Sequence, residues 1–419
     1  MLDYALPKEI NQIIKVIGVG GGGSNAVNHM YQEGIHNVSF AVCNADIQDL
    51  TSSPVPVKIQ IGEKLTDGLG CGAKPEIGRA AALESEDAIK ELLSDGTKMV
   101  FITAGMGGGT GTGAAPVVAN IAKELGLLTI GIVTIPFKLE LGSRIRKAVQ
   151  GVTEMSKYVD ALLIINNEKL IELYPDMTLD AAFYKADEVL SESAKGIAEM
   201  ITKKGEIVNV DFADVNTILK DSGVAIMNSG MAEGENRVKE AIEEALSTPL
   251  LKNKDIKQAT RILMYVYTSS EHKLTMREMG EISRFVNDIN KDSEEEMIWG
   301  GTYDDNLEKS IKITIIATGF NSENISEITD TGTIYNTYYG ENAVKQHNED
   351  RARRRELEAQ TETDATADIV TSEKKKKKAA PETKEEKKDD MEVIEFEDWA
   401  DTSDDNFSDF DTPPSLRKK

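Results

Sequence analysis

The stretch that decides the fold reads GMGGGTGTG and spans residues 105–113. It follows an apolar run at 99–103, typical of a buried strand, and precedes a run at 115–125 that is typical of a helix. Six glycines in nine residues indicate a loop that cannot be a packed element. Such a loop lets backbone N–H groups approach a ligand, and the dipole of the next helix favours an anion. The context therefore favours a phosphate-binding loop and not a flexible linker.

The phosphate charge must be balanced without a lysine in this loop. The chain has no G-x-x-x-x-G-K-[ST] motif, and no lysine or arginine lies between Lys98 and Lys123. Backbone N–H groups, helix dipoles and a hard cation with oxygen ligands remain. We therefore expect Mg²⁺ held mainly by phosphates and water, without metal-ligating side chains, at a nucleotide site that is not a P-loop.

A second glycine-rich stretch, GVGGGGSN at 18–25, follows a strand-like run at 13–17 and precedes a helix that reaches about Gln32. Its glycines match G-x-G-x-x-G, and Asp46 stands where a dinucleotide-binding fold has its ribose-binding acid. An NAD-dependent oxidoreductase is therefore an alternative hypothesis, although it leaves the loop at 105–113 without a ligand. A nucleotide-binding scaffold that does not hydrolyse its ligand is a third hypothesis.

The first half of the chain alternates strands and helices. A third glycine-rich segment at 66–75 precedes a helix expected from about Glu76 to Leu93, and its small residues make it a candidate sensor of a γ-phosphate. Further strands are expected at 39–42, 127–134 and 161–165. This alternation predicts the α/β class, with a Rossmann-like parallel sheet that binds its ligand at the carboxyl ends of the strands.

The second half begins with one long helix, expected from Thr178 to Thr202, whose wide apolar surface suits a position between domains. The segment NVDFADV at 209–215 follows. Its Asp211 and Asp214 would share a helix face, or one of them would cap the helix. A second α/β domain with a mixed sheet is predicted from strands near 224–227, 262–267, 297–300 and 311–318 and helices near 237–246 and 276–290.

Beyond about Phe320 the composition no longer supports a folded core. We expect a disordered linker over 321–405 and a terminal peptide over 406–419. The lysine run Lys374–Lys378 is flanked by acids and fits a solvated tether better than a membrane or nucleic-acid patch. The acidic aromatic segment at 396–410 is either an additional contact or plain disorder.

The composition excludes several classes of protein. The 419 residues are 40% hydrophobic, enough for two domains and a tail, and the net charge of -24 argues against nucleic-acid binding. No apolar run reaches about 18 residues and no basic-then-apolar N-terminus is present, so we expect a cytoplasmic protein without direct membrane insertion. Cys43 and Cys71 fit no metal-binding pattern and are expected to be reduced thiols.

These motifs resemble the tubulin/FtsZ family, which includes bacterial cell-division GTPases. GGGTGTG at 107–113 is the family signature, and the segments at 20–25, 68–75 and 209–215 complete the family's set of motifs over roughly residues 12–320. The resemblance implies an N-terminal arm at 1–12, a GTP-binding domain at 13–177, a central helix at 178–202 and a C-terminal domain with a catalytic acidic loop at 203–320.

The resemblance also implies the site residues. Those that hold phosphates, among them two threonines with hydroxyls, are Gly21, Gly22, Gly108, Gly109, Thr110, Gly111, Thr112 and Gly113. Glu140 and Arg144 would reach the ribose, and Asn25, Asn167 and Asp187 would read guanine. A carboxylate suits guanine because it accepts from both N1–H and N2–H₂. Asn209, Asp211 and Asp214 would be catalytic.

The implied function is a GTPase that binds GTP and GDP and forms head-to-tail protofilaments with copies of itself for the division ring at mid-cell. The terminal peptide Asp411–Lys419 would bind membrane-tethering division adaptors. Hydrolysis between subunits is expected from the length of the helix that separates Asp187 from the acids. Fifteen helical residues lead from Asp187 to Thr202, about 22 Å away, before Asp211 and Asp214 appear, so the acids would serve a neighbour's nucleotide.

Overall fold

The computed structural model describes residues 12–35, 37–140, 142–203, 205–247, 259–289 and 296–320. The linker and terminal peptide predicted beyond residue 320 lie outside the described residues, as does the N-terminal arm up to residue 11. No helix within the described part has the length and apolar character that a membrane crossing needs.

The described chain forms ten strands and twelve α-helices. The strands are β1 (Ile14–Val19), β2 (Val38–Asn44), β3 (Val57–Gln60), β4 (Met99–Gly105), β5 (Leu128–Ile135), β6 (Ala161–Asn166), β7 (Gly223–Ala232), β8 (Arg261–Thr268), β9 (Glu296–Tyr303) and β10 (Ile311–Thr318). The helices are α1 (Gly20–Glu33), α2 (Ile47–Ser52), α3 (Glu63–Thr66), α4 (Pro75–Glu84), α5 (Glu86–Leu93), α6 (Thr110–Glu124), α7 (Gly142–Met155), α8 (Glu168–Leu173), α9 (Leu179–Thr202), α10 (Phe212–Leu219), α11 (Arg237–Ser247) and α12 (Met276–Ile289).

All ten strands belong to one sheet, in the order β3-β2-β1-β4-β5-β6-β7-β10-β8-β9. Strands β1 to β6 pair in parallel, and Ile14 of β1 lies opposite Val38 of β2 and Met99 of β4. β10 runs antiparallel to both β7 and β8. The sheet is therefore parallel in its first half and mixed in its second, which confirms the predicted α/β class.

Strand β7 joins the two halves of the sheet. Its first residues, 223–225, pair with β6, and residues 226–232 pair with β10. Buried side chains of β1 and β6 share one apolar cluster with Tyr265 of β8 and Ile316 of β10. The two predicted domains thus share one sheet and part of one core.

Helix α9 has nearly the bounds that the sequence predicts. The Thr178 hydroxyl caps it by accepting from the Ala181 N–H. The helix packs against α1, α8 and strands β5 and β6, and it buries Leu190, Ala194 and Ile197 in the shared apolar cluster. Neighbours on several sides explain its wide apolar surface.

The prediction that the glycine stretches are loops without packing is wrong in part. α1 begins at Gly20 and α6 at Thr110, and residues 111–113 are buried in the first turn of α6. A Cβ added at Gly113 would lie 1.9 Å from the carbonyl oxygen of Pro75, the first residue of α4. Glycine therefore serves close helix packing here.

Two other differences concern short elements. The single helix predicted over 76–93 is two helices, α4 and α5, which meet at Ser85. β3 was not predicted, because its four residues lie at the sheet edge with an exposed-to-intermediate burial pattern and no clear alternation.

We predict that Gly113→Ala lowers the free energy of unfolding by about 1–3 kcal/mol, because the added methyl group overpacks the contact between α6 and α4. Gly280→Ala in α12 is the matched control: nothing lies within 4 Å of its added Cβ. There alanine should stabilise by roughly 0.5–1 kcal/mol, since glycine is the poorer helix former. Denaturant unfolding followed by circular dichroism measures both values, and equal effects would contradict the close packing at Gly113.

Candidate functional site

The two glycine-rich helix starts meet at the carboxyl ends of β1 and β4, which are neighbouring parallel strands. A Cβ added at Gly20, whose φ is +72°, would lie 2.7 Å from the backbone nitrogen of Gly111. One added at Gly22 would lie 3.2 Å from the Cα of Gly105. Backbone therefore packs on backbone, which brings the segments that contain Gly21 and Gly108 into one site.

The segment at 66–75 closes on the same site. A Cβ added at Gly109 would lie 2.8 Å from the Cβ of Cys71 and 3.0 Å from the backbone nitrogen of Lys74. At Gly108, by contrast, nothing lies within 4 Å of an added Cβ, so the stretch is open there. Three glycine-rich segments thus form one site with an open side.

Both helix N-termini at this site lack a side-chain cap. Val19 precedes α1 and Gly109 precedes α6, and neither makes a capping hydrogen bond through a side chain. The first N–H groups of an α-helix have no partner within the helix, and the helix dipole makes that end positive. Two such ends side by side are suited to an anion with several oxygens, such as a phosphate chain.

The two threonine hydroxyls already have partners in the protein. The Thr112 hydroxyl is buried and accepts from the Gly107 N–H at 2.9 Å, which shapes the stretch. The Thr110 hydroxyl donates to the Cys71 sulfur at 3.3 Å. Cys71, like Cys43, is a free and buried thiol. Thr112 accepts and so keeps its hydroxyl hydrogen, whereas Thr110 donates its one hydrogen to Cys71.

The ribose-side residues lie beside the signature stretch. Glu140 and Arg144 form an ion pair at 2.8 Å, and Glu140 also accepts from the Phe137 N–H at 3.0 Å. A Cβ added at Gly107, whose φ is +100°, would lie 2.9 Å from the carbonyl oxygen of Arg144. The start of α7 is thus held against the stretch at 105–113.

Two of the base-reading residues lie on neighbouring helices, Asn25 on α1 and Asp187 on α9. His29 Nε2 lies 2.8 Å from the Tyr184 hydroxyl, and His29 Nδ1 lies 3.4 Å from the Ser191 hydroxyl. Because Asn25 is one turn before His29, and Asp187 lies between Tyr184 and Ser191, these contacts place the two residues within about one turn of each other along the helix pair.

Asn167, the third base-reading residue, follows β6. Its N–H donates to the Ile135 carbonyl at the end of β5, and its neighbour Glu168 accepts from the Lys138 N–H at 2.8 Å. The rings of Phe137 and Phe183 meet edge to face at 5.1 Å, which ties the loop after β5 to α9. The structure thus joins the elements that carry Glu140, Asn167 and Asp187.

The base-reading side chains include unsatisfied polar groups. Asn167 is 5% exposed, and its Oδ1 has no hydrogen-bond partner among the residues that the structure describes. Asp187 makes no hydrogen bond or ion pair with any described residue, and burial raises its pKa to about 7. Leaving such groups unpaired is costly, so the half-buried Asp187 carboxylate and the buried Asn167 oxygen are candidates for contact with a ligand.

The acidic loop lies elsewhere in the sheet. Asp211 is the N-cap of α10 and accepts from the N–H groups of Ala213 and Asp214, while Asp214 accepts from the Asp211 N–H at 2.9 Å. Asn209 accepts from the Gly205 N–H at 3.1 Å. Asn209, Asp211 and Asp214 are therefore close together, and the two aspartates form a capping box that fixes their positions.

The acidic loop is attached to β9, far from the phosphate-binding segments. Val208 pairs with Gly301 of β9, and an added Cβ at Gly300 would lie 2.3 Å from Val210. Six strand-to-strand steps separate β9 from β4, which is roughly 29 Å at about 4.8 Å a step. The structure does not bring the acids to the phosphate-binding segments of their own chain.

Some residues near the site carry no motif that could have revealed them. The Asp49 carboxylate lies 3.2 Å from an added Cβ at Gly21 and accepts from the Asn44 amide at 3.1 Å. Asp46, the candidate ribose acid of the oxidoreductase hypothesis, instead caps α2.

Within the described ranges, no group of three or more His, Cys, Asp or Glu side chains is arranged to hold a metal ion.

Comparisons with known proteins identify the family. The model of the Tubulin/FtsZ family, GTPase domain, matches residues 13–175, and the model of the FtsZ family, C-terminal domain, matches residues 223–321. The cell division protein FtsZ of Porphyromonas gingivalis is 52% identical over 316 residues, which cover 75% of this chain and 68% of that protein. The FtsZ of Buchnera aphidicola subsp. Acyrthosiphon pisum is 48% identical over 320 residues, which cover 76% of this chain and 82% of that protein.

A solved structure agrees with these sequence matches. The structure described as "FtsZ dimer, empty (M. jannaschii)" has a TM-score of 0.68 and 43% identity, and the match covers 74% of this chain and 88% of that chain. These matches do not favour the oxidoreductase hypothesis. They lead to one conclusion: the chain belongs to the Tubulin/FtsZ family and is a cytoskeletal GTPase of cell division.

Proposed function

We propose that this chain binds GTP at the three glycine-rich segments, assembles head to tail with copies of itself, and hydrolyses GTP where two subunits meet. The observation that carries the proposal is the separation of two half-sites within one chain. The phosphate-binding segments follow β1 and β4, whereas the acids are fixed at β9, at the far edge of the sheet. A second copy is the simplest source of acids for each nucleotide.

Phosphate binding falls mainly to backbone groups. In this proposal the N–H groups of Gly21, Gly22 and residues 108–113 surround the phosphates at the uncapped starts of α1 and α6. The donors present fit Mg²⁺ bound mainly through phosphates and water. No lysine or arginine lies within these segments, and the Asp49 carboxylate beside Gly21 would favour a cation nearby. The ion would neutralise phosphate charge.

Base recognition falls to side chains in the first halves of α1 and α9 and just after β6. Asn25, Asn167 and Asp187 supply an amide, a buried oxygen without a donor and a poorly solvated carboxylate. Guanine offers adjacent N1–H and N2–H₂ donors to such a carboxylate. Phe183, 38% exposed and one turn before Asp187, offers a ring face for stacking, while Glu140 and Arg144 serve the ribose side.

Catalysis falls to the acidic loop of the next subunit. The Asp211 and Asp214 carboxylates are held by backbone N–H groups, so they reach a neighbour's γ-phosphate already in position. Asn209 shapes the preceding turn. A positioned acid can polarise the attacking water. A contact between the top of one subunit and the bottom of the next repeats into a filament, so hydrolysis would require assembly.

The division of the chain follows the same proposal. Residues 13–177 form the GTP-binding part, 178–202 the central helix and 203–320 the part that carries the acids; the limits of the two family models, 13–175 and 223–321, support this division. By likeness to the relatives named cell division proteins, the protein works in the cytoplasm at the mid-cell ring. The terminal peptide Asp411–Lys419 binds membrane-tethering adaptors.

We predict that nucleotide affinity depends on the ionisation of Asp187. Its pKa is about 7 in the free protein, and guanine needs the ionised form. The affinity for GDP should therefore fall by about tenfold per pH unit below pH 7 and level off above pH 8. Calorimetric titrations measure the Kd for GDP from about pH 5.5 to about pH 8.5, a range that extends about 1.5 pH units on either side of the pKa.

Asp187→Ala should weaken nucleotide binding by about 2–4 kcal/mol at pH 8 and flatten the pH profile. Glu192→Ala is the matched control, because Glu192 is an exposed acid on the same helix. The same substitution should have the opposite effect on the stability of the ligand-free protein. A carboxyl group whose pKa is raised by folding destabilises the folded state at pH values above its pKa in the unfolded chain. Asp187→Ala should therefore raise the melting temperature at pH 8. Unchanged affinity would show that Asp187 does not meet the base.

We predict that Asp214→Asn binds GTP and assembles but releases phosphate at least about tenfold more slowly, because it removes the charge of a catalytic acid. Asparagine keeps an oxygen for the Asp211 N–H, so α10 stays capped and the fold is preserved. Thr110→Arg should fail to bind GTP, because the larger side chain fills the phosphate-binding segment.

Mixing the two variants tests whether the acids act between chains. A Thr110→Arg subunit offers intact acids to a GTP-loaded Asp214→Asn neighbour, so the mixture should recover part of the turnover that each variant has lost. Phosphate release and light scattering are followed together. Two results would place the acids within one chain: no recovery in the mixture, or a wild-type rate per molecule that stays constant on dilution below the assembly threshold.

We predict that a chain ending at Phe320 keeps GTP hydrolysis and assembly but loses adaptor binding. Phe320 is 6% exposed and packs with the apolar cluster of β8 and β10, so a chain ending at Gly319 is the matched control. The shorter chain should melt at a lower temperature, because burial of a phenylalanine is worth roughly 1.5–3 kcal/mol. If the chain ending at Phe320 hydrolyses no GTP, residues beyond 320 belong to the catalytic unit.

A further inference from the structure

The segment at 66–75 has an unusual backbone. Five of its residues have positive φ: Asp67 (φ 50°), Gly68 (φ 74°), Gly70 (φ 80°), Gly72 (φ 54°) and Ala73 (φ 59°). Two of the five are not glycine, and a left-handed conformation costs such a residue roughly 1–2 kcal/mol. A segment with this backbone needs contacts from outside to stay in one conformation.

Lys147 of α7 makes such a contact. Its Nζ donates to the carbonyl oxygen of Ala73 at 2.8 Å, across 74 residues of sequence. Two other contacts from outside accompany it: the Ile47 N–H donates to the Gly68 carbonyl at 3.1 Å, and the Thr110 hydroxyl donates to the Cys71 sulfur. Of these three, only the Lys147 contact brings a full positive charge to the segment.

Lys147 also stands on a helix that lies along the signature stretch. One turn before it, the Arg144 carbonyl approaches Gly107, and one turn after it, an added Cβ at Gly151 would lie 2.6 Å from Thr112. Ala73, which Lys147 holds, is in turn close to Gly109: its nitrogen lies 3.2 Å from an added Cβ there. Lys147 therefore connects the ribose-side helix to the segment that lies against the phosphate-binding stretch.

We propose that Lys147 is a positioning residue for GTP hydrolysis, which holds the 66–75 segment against the signature stretch in the conformation that meets the γ-phosphate. This inference rests on the proposed function, in which GTP is bound at the three glycine-rich segments. GDP has no γ-phosphate, so the loss of Lys147 affects the GTP-dependent steps and leaves GDP binding nearly unchanged. The lysine acts through the carbonyl of Ala73 and does not need to touch the nucleotide.

The test compares three variants of the full chain. Lys147→Met keeps the length of the side chain and removes its charge and donors. Lys147→Arg keeps both. Arg146→Met is the control for the loss of positive charge, because Arg146 is the adjacent exposed residue of α7 and forms no hydrogen bond or ion pair in the described part of the chain.

We expect Lys147→Met to lower kcat for GTP by about tenfold while the Kd for GDP changes by less than about twofold. Lys147→Arg should restore at least half of the wild-type kcat, and Arg146→Met should match the wild type. A Lys147→Met variant with the wild-type kcat, or an Arg146→Met variant with the same loss, would overturn the proposal.

Hydrogen exchange of the 66–75 peptide provides a readout that does not depend on turnover. With GDP bound, amides of this peptide should exchange faster in Lys147→Met than in the wild type, and those of α12 should not change. Equal exchange in both proteins would overturn the proposal even if the rates differ. A wild-type protein that releases no phosphate from GTP would instead refute the proposed function, while the exchange data would still decide the Lys147 contact.

Discussion

The site depends on backbones that approach each other without side chains between them. An added Cβ at Gly23 would lie 2.2 Å from the Thr103 carbonyl oxygen, and one at Gly113 would lie 1.9 Å from that of Pro75. These contacts bring β1, α1, β4, α6 and α4 together at one end of the sheet. A larger residue at either position would separate the elements whose N–H groups form the anion site. The glycines are thus packing residues first, and that packing shapes the proposed anion site.

The site balances charge in an unusual way. The two glycine-rich segments at 18–25 and 105–113 contain no lysine or arginine, so helix ends supply the positive potential there, while Asp49 adds negative charge beside Gly21. On α9, burial raises the pKa of Asp187 to about 7, and no described residue donates a hydrogen bond to its carboxylate. In the proposed function, guanine would supply donors to Asp187, and a bound cation would balance the charge of Asp49 and the phosphates. The strained, unpaired groups of the free protein therefore favour the bound state.

The sequence predicts the elements of this fold better than their contacts. The glycine stretch, the long helix α9 and the second-half strands are local patterns, and the structure places them close to the predicted positions. The sequence does not show that residues 111–113 are packed, because that depends on α4, which lies more than one element away. Nor does it show that the Thr112 hydroxyl accepts from the Gly107 N–H or that Lys147 reaches Ala73. Such facts arise from the tertiary fold, which no local spacing records.

The continuous sheet has a consequence for assembly. The nucleotide segments follow β1 and β4, the acidic loop is paired with β9, and β7 links the two halves through strand pairing on both sides. A packed sheet with a shared apolar core deforms little, so the spacing between the two half-sites is nearly fixed. A subunit therefore cannot close its own acids onto its own nucleotide by bending. The same rigidity sets a constant distance from one subunit contact to the next, which a regular filament requires.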